Sequence, residues 1–219
     1  MATLRIWVCL WLGVPLPAGD DVPSILRGVE RRYNAVQTIE VQFEQSYSVK
    51  GRGRRLEGGT LYLRKPGRMR LDYRQPPGKW FLSDCKSFYF YSPAANRVEK
   101  MRLKESDDLR APLAFLIGRL DFQKDFTKFV SRQVEGGISI SAEPRRPDRA
   151  PYRQVEFIVA QDNSIQRLIV VGQDASVMEF RFTGERLNAR VDDALFRFRL
   201  PEGAELVESR GPSAEETEQ

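Results

Sequence analysis

The chain predicts an α+β fold: one curved antiparallel sheet of about eleven strands, with helices packed against one face. Apolar and charged residues alternate over most of its 219 residues, turn signals separate the alternating runs, and helical spacing recurs in only two places. A period of two puts one side-chain set on each face of a strand, and a period of 3.6 gives a one-sided helix.

The clearest run is Gly59 to Arg74. Leu61 and Leu63 alternate with Tyr62 and Arg64, and Met69, Leu71 and Tyr73 alternate with Arg68, Arg70, Asp72 and Arg74. Lys65-Pro66-Gly67 stands between them, and proline cannot donate to a ladder, so this is the turn of a hairpin. One face of that hairpin is apolar and must be covered. Upstream, Pro23 suits the first turn of a helix carrying Ile25, Leu26, Val29, Tyr33 and Val36 on one side. Strand alternation then starts at Val41 and Phe43.

After the Gln75-Pro76-Pro77-Gly78 turn, Lys79–Asp84 and Lys86–Ser92 form a second hairpin, and Arg97–Leu103 another strand. The period then changes. Leu109, Leu113, Leu116 and Leu120 recur at helical spacing, Asp107 or Asp108 can cap the start, and Phe122, Phe126 and Phe129 extend the apolar region. Strands resume at about Lys128, with a Gly136-Gly137 hairpin turn and a polar loop over Glu143–Pro151. Alternation returns at Val155–Val159, Ile165–Val171 and Met178–Phe182, and Phe196, Phe198 and Leu200 close the ordered part.

The N-terminus has the layout of a secretory signal peptide over residues 1–19: Arg5, an apolar run from Ile6 to Val14, then Pro15-Leu16-Pro17-Ala18-Gly19. The run is too short to span a bilayer. A buried N-terminal strand is the competing reading. Cys9 lies too early for a lipoprotein signal and no cysteine stands near Ala18, so the expected product is exported and not lipid-anchored. Removing the leader leaves Cys85 as the lone cysteine, which excludes an intramolecular disulfide, so a single-domain core over residues 20–209 must supply stability. The acidic tail, residues 210–219, is expected to be disordered.

The formal charge is +5, or +4 without the leader and its Arg5. The arginines sit at outward strand positions such as Arg68, Arg70, Arg181, Arg197 and Arg199. They read as a solvated face, since no clustered basic patch or recognition module points to nucleic acid. The sequence has no histidine, which excludes a His base, a His triad and His metal ligands. One mature cysteine excludes a multi-Cys metal site. No cofactor is expected. The acidic pairs Asp20-Asp21, Asp107-Asp108, Asp192-Asp193 and Glu215-Glu216 fall at helix starts, turns or the tail, where carboxylates cap or stay solvated. A carboxylate-only enzyme is the weakest functional alternative.

Several motifs occur together and in order. They are Val36-x-x-Ile39-x-x-x-Phe43-x-Gln45, Gly59-x-Leu61-x-Leu63-x-Lys65-Pro66, Gln75-Pro76, Leu82-Ser83-Asp84-x-Lys86-x-x-x-x-Tyr91-x-Pro93, Pro112-x-x-x-Leu116 and Val191-Asp192-x-x-x-Phe196-x-Phe198-x-x-Pro201-x-Gly203. With them the chain resembles the outer-membrane lipoprotein carrier family, LolA. The resemblance implies an incomplete, open β-barrel whose hollow is covered by a lid of helices. It implies a soluble periplasmic monomer that takes acylated lipoproteins from an inner-membrane ABC-type extraction complex and delivers them to an outer-membrane receptor. On the family pattern, Met69 and Leu71 face the hollow, and Leu113 and Leu116 belong to the lid. The residues alone leave open whether these four line a filled core or a ligand site.

Two positions depart from the family pattern. Lys65 stands where an arginine usually bonds lid carbonyls, and Arg64 beside it is the other candidate for that latch. Cys85 replaces the glycine of a tight Ser-Asp-Gly-Lys turn, so it either takes a strained positive φ or sits in a turn of another type. A related lipid or glycolipid shuttle, or the lipid-sensing domain of an envelope regulator, is the alternative function for the same hollow.

Overall fold

The computed structural model describes residues 21–49, 55–102 and 119–208. The expected leader, the helix expected between Leu109 and Leu116 and the expected tail lie outside them. Among the described residues the protein is mostly β, with one long helix and a twelve-stranded, largely antiparallel open sheet.

Helix α1 (Val22–Asn34) begins with Pro23 in its first turn, and the Asp21 carbonyl accepts from the N–H groups of Ser24 and Ile25 at 2.8 and 3.1 Å. Arg31 and Arg32 occupy its last turn, where cations suit the negative end of the dipole. Leu26, Val29 and Tyr33 form its buried side, as their spacing predicts.

The strands fall into two meanders. The first comprises β1 (Thr38–Ser48), β2 (Arg55–Arg64), β3 (Arg68–Gln75), β4 (Trp80–Asp84), β5 (Ser87–Ser92) and β6 (Arg97–Arg102). A single turn, α2 (Phe122–Asp125), precedes the second: β7 (Phe126–Val134), β8 (Gly137–Pro144), β9 (Tyr152–Val159), β10 (Ile165–Gly172) and β11 (Val177–Leu187). Pairing of β1 with β11 joins the two, from Ile39↔Leu187 to Ser48↔Val177. The spatial order is β12-β6-β5-β4-β3-β2-β1-β11-β10-β9-β8-β7, where β12 is Glu205–Glu208.

The concave face carries the main core. Leu61, Leu63, Met69, Leu71 and Tyr73 of the predicted hairpin are all buried there with the apolar side of α1. Gly59 has a steric reason to lack a side chain, since a Cβ would sit 1.9 Å from the Asp72 carbonyl oxygen at a register shift in the β2–β3 ladder. On the edge strand β7, Lys128 takes φ +54° at a register shift, and Lys128 and Arg132 pair with Glu143 and Glu156. Such charges and irregularities oppose edge-to-edge association.

The convex face departs from expectation. A second core of Leu82, Tyr89 and Val98 lies there under Val191 and Phe196, and the Phe198 ring stacks on Tyr89 at 4.2 Å. Arg68 and Arg70 are therefore not part of a freely solvated face. Arg68 pairs with Asp193 at 3.3 Å, while Arg70 donates to the Leu195 carbonyl at 3.1 Å and lies over the Trp80 ring. Alternation identifies the face of a strand, but it carries no information about a distant segment crossing that face.

Three further expectations change. The Phe196-Phe198-Leu200 alternation is no strand, because Asp193–Phe196 forms a 3-10 turn capped by the Asp192 side chain and the next residues run unpaired. The chain gains β12 instead, parallel to β6, so the sheet is not wholly antiparallel. Leu120 lies in an irregular segment and not on a helix, and β7 starts at Phe126, just before the point near Lys128 where strands are expected to resume.

Cys85 takes φ +79°, the left-handed backbone expected of the glycine it replaces, and its thiol is exposed. The Asp84 carboxylate closes the turn by accepting from the N–H groups of Lys86 and Ser87 at 3.0 and 2.8 Å. A left-handed residue with a Cβ costs about 1 kcal/mol or more relative to glycine. Cys85→Gly is expected to raise unfolding stability by about 0.5–1 kcal/mol, read as a higher urea midpoint, whereas Cys85→Ala keeps the Cβ and gains nothing. Equal midpoints for the two variants would show that the turn stores no such cost.

Candidate functional site

The concave face and the elements that close it form the candidate site. Of its predicted lining, Met69 and Leu71 are both fully buried, on the β3 face turned toward α1. Leu113 and Leu116 lie outside the described residues.

The β2–β3 turn meets the end of α1. Lys65 donates from its backbone N–H to the Gln37 carbonyl at 2.9 Å, and its ammonium donates to the Tyr33 carbonyl at 2.6 Å. Tyr33 lies in the last turn of the helix, whose carbonyls carry partial negative charge. Burial lowers the Lys65 pKa from its ordinary value. Arg64, one residue earlier, points to the other face. It donates to the Val191 carbonyl, pairs with Asp193 at 3.3 Å and lies over the Phe196 ring. The two latch candidates are thus separated by the pleat: Lys65 holds α1, and Arg64 holds the C-terminal segment.

A second set of bonds fixes α1 to the other meander. The Tyr33 hydroxyl donates to Glu185 at 2.7 Å and accepts from the Ile165 N–H at 2.9 Å, while Arg32 pairs with the same Glu185 at 2.6 Å. Burial, reinforced by the Glu185 carboxylate, pushes the Tyr33 pKa far above its ordinary value, so the hydroxyl remains a donor. Asn34 forms a reciprocal pair with Leu120, donating to its carbonyl at 2.9 Å and accepting its N–H at 2.8 Å. Glu30 accepts from the Phe122 N–H at 2.8 Å. The helix therefore also carries the segment that leads into β7.

Sequence reasoning placed Tyr33 on the apolar side of the helix and missed its hydroxyl, as it missed Glu30, Asn34 and Glu185. The partners of these residues stand 86 to 152 positions away along the chain, beyond any local pattern.

Chemically, the arrangement is an apolar face with hydrogen-bonded closures. Among the described residues no group of three or more histidine, cysteine or acidic side chains is placed to hold a metal ion. No described helix is long and apolar enough to cross a membrane.

Comparison with known proteins gives consistent findings. The family described as "Outer membrane lipoprotein carrier protein LolA" matches residues 34–199. An outer-membrane lipoprotein carrier protein from Azotobacter vinelandii is 25% identical over 195 residues, covering 88% of this chain and 91% of the relative. One of the same name from Photorhabdus laumondii is 24% identical over 213 residues, covering 96% and 100%. Among solved structures, a conserved protein from Thermus thermophilus superposes with a TM-score of 0.51 at 12% identity, covering 85% of this chain and 98% of that one. A DUF1329 family protein from Desulfovibrio piger gives 0.51 at 13% identity, covering 80% and 97%. Likeness at such low identity shows the fold alone.

Tyr33→Phe removes one hydroxyl and leaves the buried Ile165 N–H without its partner, while Glu185 keeps its ion pair with Arg32. Leaving a buried polar group unpaired costs about 1–3 kcal/mol. The variant is expected to lose stability in that range in urea unfolding, and amide exchange at Ile165 is expected to accelerate. Wild-type stability together with wild-type exchange would show that this bond does not seat the helix.

Proposed function

Because the chain belongs to the outer-membrane lipoprotein carrier family, LolA, we propose that it is a soluble periplasmic carrier that holds the acyl chains of lipoproteins against the concave face of its sheet. The family match over residues 34–199 carries this reading. In it, the expected leader exports the protein, an inner-membrane ABC-type complex loads it and an outer-membrane receptor unloads it.

The physical need is large. Each acyl methylene exposed to water costs about 0.8 kcal/mol, so a cargo with several long chains cannot cross an aqueous space unshielded. An apolar concavity meets that need, and Met69 suits it because an unbranched thioether side chain repacks around ligands of variable shape. In the proposed cycle, Met69 and Leu71 face the chains from the sheet and Leu113 and Leu116 from the lid. Closing the empty carrier restores the contacts that cargo displaces, which keeps net affinity modest and permits release.

Lys65 is the proposed latch, through its 2.6 Å bond to the Tyr33 carbonyl. A hydrogen bond from a charged donor contributes about 1.5–3 kcal/mol, and partial exposure of this ammonium places it at the lower end. Lys65→Leu is expected to raise the open population about ten-fold, retain cargo longer and slow transfer to an acceptor while loading continues. Lys65→Arg, with a planar fork of donors, is expected to tighten closure and speed release. Transfer rates of both variants beside wild type check this, and rates unchanged in both would remove Lys65 from the cycle.

Cargo identity is open to direct measurement. Native mass spectrometry of the protein purified from its own periplasm is expected to show a bound acylated lipoprotein. Free lipid or glycolipid alone would instead assign it to shuttling of those molecules.

A further inference from the structure

The concave face is not apolar throughout. At the end of the first meander farthest from the Lys65 turn, neighbouring strands and one turn bring four polar side chains together. Gln45 on β1 stands opposite Glu57 on β2, Tyr73 lies on β3, and Lys79 ends the turn into β4. All four are buried or nearly so, with side-chain exposure of 12% for Lys79 and 6% for Glu57. The Lys79 ammonium pairs with Glu57 and sits over the Tyr73 ring at 4.3 Å and the Phe90 ring at 5.2 Å. The Tyr73 hydroxyl donates to Gln45 Oε1 at 2.9 Å. A backbone bond from the Tyr73 N–H to the Lys79 carbonyl, 3.0 Å, fixes the two side by side. The cluster is continuous with the apolar lining, because the Tyr73 ring packs edge-on against Phe43 at 5.2 Å.

Stability alone gives no reason for this cluster. A buried ion pair loses hydration that its attraction barely returns, and apolar residues of the same volume often serve the fold as well or better. Ligand sites, in contrast, combine an apolar lining with a few converging polar groups that fix the orientation of the ligand. The donor inventory is specific here. The Lys79 ammonium has three N–H groups, and Gln45 keeps its amide hydrogens while the Tyr73 hydroxyl, donating to its oxygen, fixes the orientation of that amide. An acyl chain carries a matching group at its head, a carbonyl that only accepts.

Charge narrows the ligand further. Lys79 and Glu57 together are neutral, so a neutral ester or amide carbonyl can approach without bringing an uncompensated charge. A free carboxylate would have to share the ammonium with the Glu57 carboxylate beside it, and like charges repel strongly in a buried site.

We propose that Gln45, Glu57, Tyr73 and Lys79 form a carbonyl-binding end of the acyl hollow, which selects ester- or amide-linked chains over free fatty acids. The proposal rests on the carrier reading above and adds to it a polar register that sets how far a chain enters.

The test compares two lipids that differ only in the carbonyl: monopalmitoylglycerol and its hexadecyl ether analogue. Each displaces an apolar fluorophore from the full-length protein, and palmitate serves as the charged comparison. In wild type the ester is expected to bind about three- to ten-fold tighter than the ether, as one or two added hydrogen bonds give, with palmitate weaker than the ester. Tyr73→Phe is one variant. The other is Lys79→Met paired with Glu57→Gln, which removes both charges and leaves neither stranded. In each, the ester-to-ether ratio is expected to fall toward one. Equal affinity for ester and ether in wild type overturns the proposal, as does a ratio that survives in both variants. A protein that binds the fluorophore and the ether but does not discriminate retains the carrier reading, whereas one that binds no acyl compound loses both.

Discussion

The ladder between β1 and β11 is the constraint on which the rest of the architecture depends. Each meander can form from neighbours in sequence, yet neither alone makes a face wide enough to enclose anything. The ladder brings Ile39 beside Leu187 and Phe43 beside Phe182, and the two half-sheets become one concave surface. Helix α1 lies immediately before β1, so the same pairing brings it over the join. Only then can Tyr33 reach Ile165 and Glu185 on the far meander and the Lys65 ammonium on the near one. The seating of α1 on the sheet is therefore a long-range property, conditional on the pairing of the two meanders.

The two faces of that sheet use one alternating pattern for different ends. Inward residues of β2 and β3 meet a helix held by a small number of directional bonds, a contact suited to exchange. Outward residues meet an extended segment held by Arg64, Arg68 and Arg70 and by stacked aromatic rings, a contact suited to permanence. The convex core stiffens β3 to β6 from behind. On the proposed carrier reading, that support would let the other side exchange apolar contacts while the strands keep their arrangement.

Much of this was legible in the sequence. The hairpin around Lys65-Pro66-Gly67, the apolar identity of Met69 and Leu71 and the helix starting near Pro23 follow from periods and turn chemistry, which are local, while the left-handed option at Cys85 follows from the family's turn pattern. The interactions that were not legible are all non-local. Nothing near Arg68 signals that Asp193 crosses its path, and Tyr33 fits an apolar stripe whether or not its hydroxyl finds a carboxylate. The misread Phe196-Phe198-Leu200 run makes the same point from the other side. Its alternation is real, but it arises from a strap laying aromatic rings on a sheet already formed, and not from membership of that sheet. For the candidate site, the sequence supplied the apolar lining and the Lys65 position through family resemblance, and the polar end at Gln45, Glu57, Tyr73 and Lys79 escaped notice because each residue comes from a different strand or turn.

The anchoring of α1 is unequal, and its mechanical meaning is directional. On the β10–β11 side the helix is tied by a buried hydroxyl that bonds two partners and by an ion pair, with Gly28 pressed against the Asn163 side chain. On the β2–β3 side the ties come from Lys65, whose ammonium provides the side-chain contact. Both sets of ties act near Tyr33 in the last turn, so a helix held by several bonds along one flank and by a single charged contact on the other does not lift evenly. In the proposed cycle the helix would tilt about its β10–β11 flank and open toward β2 and β3, beside Met69 and Leu71. On the proposed carrier reading, a guest would enter along that one open flank, and its chains would meet β3 early.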